Sequence, residues 1–189
     1  KPHWAIWAFL DRQDDLHVDS ELILHAPLQE LKKRLLLHEA QHGYRLARRL
    51  IDPNFGRTPD APGSLTTVIQ TLAKAPFPVF FGEANDALDT GIFTVKDYLH
   101  YNPAQPLSVT NKPKLYFHPH RVPKTIHSIR NHQYQEWKGK TRQEKDPKEQ
   151  PMDRDSDGAA CIRYLCVGRP SFDALRAERE RHAFTESPY

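Results

Sequence analysis

The stretch WAIWAFL (4–10) restricts the fold of this 189-residue chain more than any other. It is apolar on both faces and rich in aromatics, so as a strand it must be covered from above and below, which suits the centre of a sheet. DRQDD (11–15) then supplies a polar turn before LHVDSELIL (16–24). In that second run Leu16, Val18, Leu22 and Leu24 share one face and His17, Asp19 and Glu21 the other. The two runs read as an antiparallel hairpin.

Pro27 opens a helix in which Leu28, Leu31, Leu35, His38 and His42 follow at spacings of three and four, with Gly43 as its stop. RLARRLIDP (45–53) reads as the next strand, ending at Asp52. Beyond a loop rich in Pro, Gly and Asp, SLTTVIQTLAKA (64–75) starts with a Ser cap and has helical spacing, and FPVFF (77–81) reads as a short buried strand. Strand, helix, strand, helix, strand is the pattern of crossover units feeding a parallel sheet. A helix over 91–100, the strand KLYFH (114–118), a helix over 122–137, the charged loop 138–155 and a helix through GAACIRYLCV (158–167) complete the body. The tail from Gly168 is polar, with one helical run, DALRAERERHAF. The expected class is α/β, with a domain over 1–168 and a C-terminal tail over 169–189.

The balance of 27 basic against 24 acidic residues is too even for a histone-like nucleic-acid coat. Cys161 and Cys166, five apart on one helix, are too few for a disulfide framework and wrongly spaced for a zinc knuckle; they favour a reducing compartment. No apolar run approaches the roughly 18 residues of a membrane span.

Two histidine motifs invite metal readings. HEAQH (38–42) fits His-Glu-x-x-His, which on a helix places His38 and His42 as zinc ligands and Glu39 as the base of a metalloprotease. A catalytic zinc needs a third protein ligand. Between Gly43 and Gly82 there is no His and no Glu, and Arg45, Arg48 and Arg49 follow the second His. The alternative is that His38 and His42 continue the leucine stripe, partly buried, while Glu39 faces solvent. FHPH (117–120), with Tyr134 on the following helix, has the His-hydrophobic-His look of rolling-circle nucleases, but Pro119 lacks the amide a central strand donates.

Hard cations take carboxylates on rigid strand and helix ends. Asp52 ends a strand where side chains of open α/β sheets converge on ligands. Asp153, Asp155 and Asp157 crowd the start of a late helix. Taken alone, Asp52-Pro53 is a common strand-to-turn pair and the acidic run an ordinary cap.

In the order hairpin, helix, strand ending in Asp, further parallel units and late helix opening with Asp, the chain resembles the ribonuclease H-like fold. Within it the chain resembles the nuclease domain of the large terminase subunit of tailed bacteriophages and related viruses. The motifs that carry this are PHWAIWAFLDRQDDLHVDSEL, RRLIDP, GIFTVKDYL, KLYFHPHRVPKTIHSIRNHQYQEW and DRDSDGAACIRYL. The last is similar to the family's closing Ser-His or Asp-His pair followed by x-x-Asp-Ala-x-Arg-Tyr.

The resemblance implies a mixed central sheet flanked by helices. It makes Asp52 the second metal-binding acid and sets Asp157 where the family has a ligating His or Asp. Ala160 stands where a second Asp is usual, so Asp155 or Asp153 is left to supply the third acid. The family's first catalytic Asp, on its first strand, would lie before Lys1. Two Mg²⁺ or Mn²⁺ ions would then hydrolyse phosphodiesters of concatemeric viral DNA.

The implied partners are double-stranded DNA, an upstream ATPase domain of the same polypeptide, the portal and the small terminase subunit, in the host cytoplasm during assembly; no membrane is implied. Lys112, Lys114, Arg121 and Lys124, with Lys138, Lys140 and Arg142 of the charged loop, read either as phosphate contacts or as solvating charge. The rival functional class is a DNA- or portal-binding fragment without activity of its own.

Overall fold

A computed structural model describes residues 1–131 and 156–185. β1 (His3–Leu10) and β2 (Leu16–Leu24) form the expected antiparallel hairpin. Asp11 closes its turn: Oδ1 accepts from the amides of Gln13 and Asp15 at 2.9 and 3.0 Å, an Asx-type arrangement. β5 (Leu115–Phe117) adds to β2 in parallel, giving the order β1-β2-β5. β3 (Leu50–Ile51) and β4 (Gly82–Glu83) form a separate parallel pair.

The helices are α1 (Leu28–His42), α2 (Pro53–Arg57), α3 (Val68–Leu72), α4 (Leu88–Leu99), α5 (Pro123–Arg130), α6 (Asp157–Val167) and α7 (Phe172–Thr185). Among the described residues none is long and apolar enough to cross a membrane. Two apolar clusters show the layering. Trp7 packs with Leu31 and Leu35 of α1 and with Ile51, Val68 and Leu72. Leu10, Leu16, Val18 and Leu115 pack with Tyr98 of α4, Val122, and Ile162 and Cys166 of α6, with Phe172 and Leu175 of α7 against them.

β1 is paired by β2 alone among the described residues, so it lies at the edge of its sheet rather than at the centre. Its apolar character on both faces follows from the layers instead. Trp7 and Ala5 face the α1 side, while Ile6, Ala8 and Leu10 face the α6 side.

The expectation that Leu16, Val18, Leu22 and Leu24 share a face fails for a local reason. Trp7 pairs with Ser20 but Ala8 with Val18, so Asp19 is an extra residue in β2, a β-bulge. One unpaired residue inverts the alternation. Leu16 and Val18 therefore join the α6 cluster and Leu22 and Leu24 the α1 cluster.

α1 runs as expected and stops at Gly43, whose φ of 65° is the left-handed C-cap. The strand expected over 45–53 shrinks to Leu50–Ile51, because Asp52 caps α2 and Pro53 occupies its first turn. Thr67, not Ser64, caps α3: its hydroxyl accepts from the Gln70 amide and the Gln70 side chain accepts from its own amide, a reciprocal capping box. FPVFF forms no strand. Pro76 and Pro78 have no amide to donate, only Val79 is fully buried there, and Phe77 and Phe80 stand exposed. α4 starts at Leu88, three residues before the expected start. The helix expected over 122–137 is observed as Pro123–Arg130, and its remainder from 132 lies outside the described residues.

Candidate active site

Asp52 sits where β3 gives way to α2. Its Oδ1 accepts from the amides of Asn54 and Phe55 at 2.7 and 3.3 Å, so the backbone fixes the carboxylate directly. Its Oδ2 accepts the phenol of Tyr164 at 2.7 Å. Tyr164 comes from α6, the helix that Asp157 opens.

Positions 157, 161 and 164 are four and three apart and so lie on one face of α6. Cys161 lies on that face, one helical turn after Asp157. Burial first, then the fields of Asp157 and Asp52, push its thiol up to about 12, and it donates to the Trp4 carbonyl at 3.8 Å. The Tyr164 hydroxyl is held well above the ordinary tyrosine range by burial and by its bond to Asp52, so it remains a donor. Cys166, on the other side of α6, is buried, with its thiol also pushed up to about 12 by burial. Both cysteines are free.

Asp52 and Asp157 thus both lie within electrostatic reach of Cys161. Among the described residues neither acid has an ion-pair partner. Asp153 and Asp155, the other expected acids, lie outside the described residues, as do Lys138, Lys140, Arg142 and Tyr134. Among the described residues no group of three His, Cys, Asp or Glu side chains is placed to hold a metal. The donors present still suit a hard cation, since Mg²⁺ is commonly held by one or two carboxylates together with waters and substrate phosphates.

Tyr164 is the residue that sequence reasoning passed over. The Arg-Tyr ending of the late-helix motif marked it, but its contact is with Asp52, 112 positions away.

Among the described residues HEAQH has no third ligand and its side chains are engaged otherwise. Glu39 is buried, not solvent-facing, and both its oxygens accept from Arg49, from Nε at 3.0 Å and from Nη2 at 2.7 Å. His42 is exposed and uses Nδ1 on the His38 carbonyl of its own helix at 2.9 Å. The His38 Nε2 meets the Ser20 hydroxyl at 2.9 Å. The His38 ring stacks on Trp7 and His42, with centroids 4.1 and 4.2 Å away. Two rings stacked in this way present their in-plane nitrogens side by side instead of aiming them at one ion. Burial, with the positive fields of His42 and Arg121, holds the His38 imidazole below its ordinary range.

FHPH behaves as a strand running into a loop: β5 ends at Phe117, and the His118 and His120 rings meet edge to face 6.4 Å apart. The expected phosphate-binding cations divide. Lys112 is paired with buried Asp15, and Arg121 donates to Asp19 at 2.9 Å. Lys114, just before β5, and Lys124, in the first turn of α5, are exposed.

The architecture around these acids, a mixed sheet flanked by helices, is the ribonuclease H-like arrangement. At the level of sequence, no family profile and no curated protein matches the chain. Among solved structures it is similar to the nuclease domain of g2p, the large terminase of bacteriophage SPP1, crystallised with bound Mn. The TM-score is 0.56 and the identity 16%, over 89% of this chain and 79% of that one. The chain has the fold of that nuclease domain, as the sequence motifs led one to expect.

Proposed function

We propose that the chain is a Mg²⁺- or Mn²⁺-dependent endonuclease domain of a viral genome-packaging terminase, acting on double-stranded DNA. The observation that carries this is the 2.7 Å bond from Tyr164, on the helix that Asp157 opens, to Asp52, in a fold similar to a terminase nuclease domain solved with Mn. Asp52 and Asp157 would hold the cation, with Asp155 or Asp153 as the further acid. When bound, the cation supplies an activated water and stabilises charge on the phosphodiester leaving group.

The chain's own residues do the positioning. The α2 amides and Tyr164 hold Asp52, and the first turn of α6 presents Asp157. Lys114 and Lys124, with Lys138, Lys140 and Arg142, are offered to DNA phosphates. In this reading the upstream ATPase domain, the portal and the small terminase subunit are partners, and the site of action is the host cytoplasm.

The test is plasmid nicking in Mn²⁺ by the unaltered chain and by Asp52→Ala. Nicking that Asp52→Ala loses supports the nuclease. Intact DNA binding with no nicking by the unaltered chain favours a binding module instead.

A further inference from the structure

Arg163 and Tyr164 close the late-helix motif, yet neither is an acid or a phosphate contact in the reading above. Their surroundings are specific. A carboxylate offers about four lone-pair positions, and three of those on Asp52 are filled. The Asn54 and Phe55 amides use Oδ1, and the Tyr164 hydroxyl uses one side of Oδ2. Among the described residues, that leaves a single position on Oδ2, beside the phenol, without a partner.

The Tyr164 ring is itself held. The Arg163 guanidinium carbon lies 5.0 Å from its centroid, a cation–π contact. Arg163 Nη1 donates to the Asp86 carbonyl at 2.7 Å. The aliphatic stem of Arg163 passes over α4 where that helix has Gly91. A Cβ at Gly91 would fall 2.3 Å from Arg163 Cγ and 2.5 Å from Cδ, so this path exists only because the residue has no side chain. Contacts therefore run without a break from Gly91 through Arg163 and Tyr164 to the carboxylate.

We propose that Tyr164 and Arg163 are positioning residues for Asp52. The phenol sets the rotation of the carboxylate and leaves Oδ2 one open position for a hard divalent cation, and the guanidinium keeps the phenol in place. Asp52 is then a ligand through one oxygen only. This rests on the proposed function, in which Asp52 binds metal. Partners that hydrogen-bond a ligating carboxylate typically change metal affinity by about 10- to 100-fold.

The experiment is a Mn²⁺ titration of the 189-residue chain followed by electron paramagnetic resonance, without DNA, on the unaltered protein and on Asp52→Asn, Tyr164→Phe and Gly91→Ala, each with a thermal melt. Tyr164→Phe is expected to weaken Mn²⁺ binding by about 10- to 100-fold while the melt moves by only about 2–4 °C. Gly91→Ala, which changes no atom of Asp52 or Tyr164, is expected to weaken it in the same direction. If Tyr164→Phe does not fold, the Gly91→Ala titration decides alone.

Loss of Mn²⁺ affinity in Asp52→Asn with unchanged affinity in Tyr164→Phe and Gly91→Ala overturns the positioning role and leaves the site reading standing. Equal Mn²⁺ binding by the unaltered chain and Asp52→Asn overturns the site reading, and the positioning role falls with it.

Discussion

Replacing Glu39 by Ala separates the two meanings of HEAQH. In a zinc protease Glu39 would be a base, and its removal would leave stability nearly unchanged. Here its side chain is 9% exposed and receives two bonds from Arg49, whose own side chain is 27% exposed. Removing one partner of a fully buried pair costs about 3–5 kcal/mol, mostly from the charge left behind. Arg49 can still turn part of its guanidinium toward water, and Ala is the better helix former by a few tenths, so a loss of about 2–3 kcal/mol is expected. For a chain of this size that is a fall in melting temperature of roughly 4–12 °C.

Urea denaturation of the unaltered chain, Glu39→Ala, Arg49→Ala and the double variant gives the coupling directly. If the pair acts as described, Arg49→Ala adds little once Glu39 is gone. A Glu39→Ala midpoint within about 0.5 kcal/mol of the unaltered protein, the range of ordinary surface substitutions, would refute the reasoning. So would stoichiometric zinc in the purified chain that His38→Ala loses.

Gly158→Ala places a Cβ 2.9 Å from Ser128 Cβ and 3.0 Å from Trp4 Cζ2, at the α6–α5–β1 contact. Overpacking of about 1–3 kcal/mol, offset by up to about 1 in helix propensity, predicts a lowered urea midpoint, together with reduced nicking because Asp157 is the next residue. His38 gives a pH dependence. Its folded pKa lies below the unfolded value of about 6.5, so the unfolded state binds more protons and stability is lost as pH falls below that value toward the folded pKa. Urea midpoints between about pH 7 and 5 should fall less steeply in His38→Gln, and identical slopes would remove His38 as the cause.

What was legible in the sequence is what repeats over many residues. The 15 residues of α1 and the long strands of the hairpin carry a period that a reader can count. β3 and β4 are two residues each, too short to carry any period, and the apolar run FPVFF looks like a strand although Pro78 within it and Pro76 before it have no amide to donate. The bulge at Asp19 is a single residue. It leaves the alternation in the sequence intact while turning Leu22 and Leu24 to the opposite side of the sheet. The partners of Glu39 and Asp52 were hidden for another reason. Arg49 lies ten positions from Glu39 and Tyr164 lies 112 from Asp52, and neither separation follows from a local pattern.

The two candidate metal motifs end differently because of what balances their charge. Glu39 is already matched by a guanidinium, and His38 and His42 spend ring nitrogens on a hydroxyl and a helix carbonyl. A cation arriving there would have to displace a cation already in place. Among the described residues Asp52 is held by neutral donors, two amides and a phenol, which fix its orientation and bring no counter-charge. Asp157 lies in the first turn of α6, also without an ion-pair partner among the described residues. The spacing of HEAQH matched a metal motif, but its carboxylate is already paired with Arg49, whereas Asp52, ten residues after His42, has no ion-pair partner among the described residues.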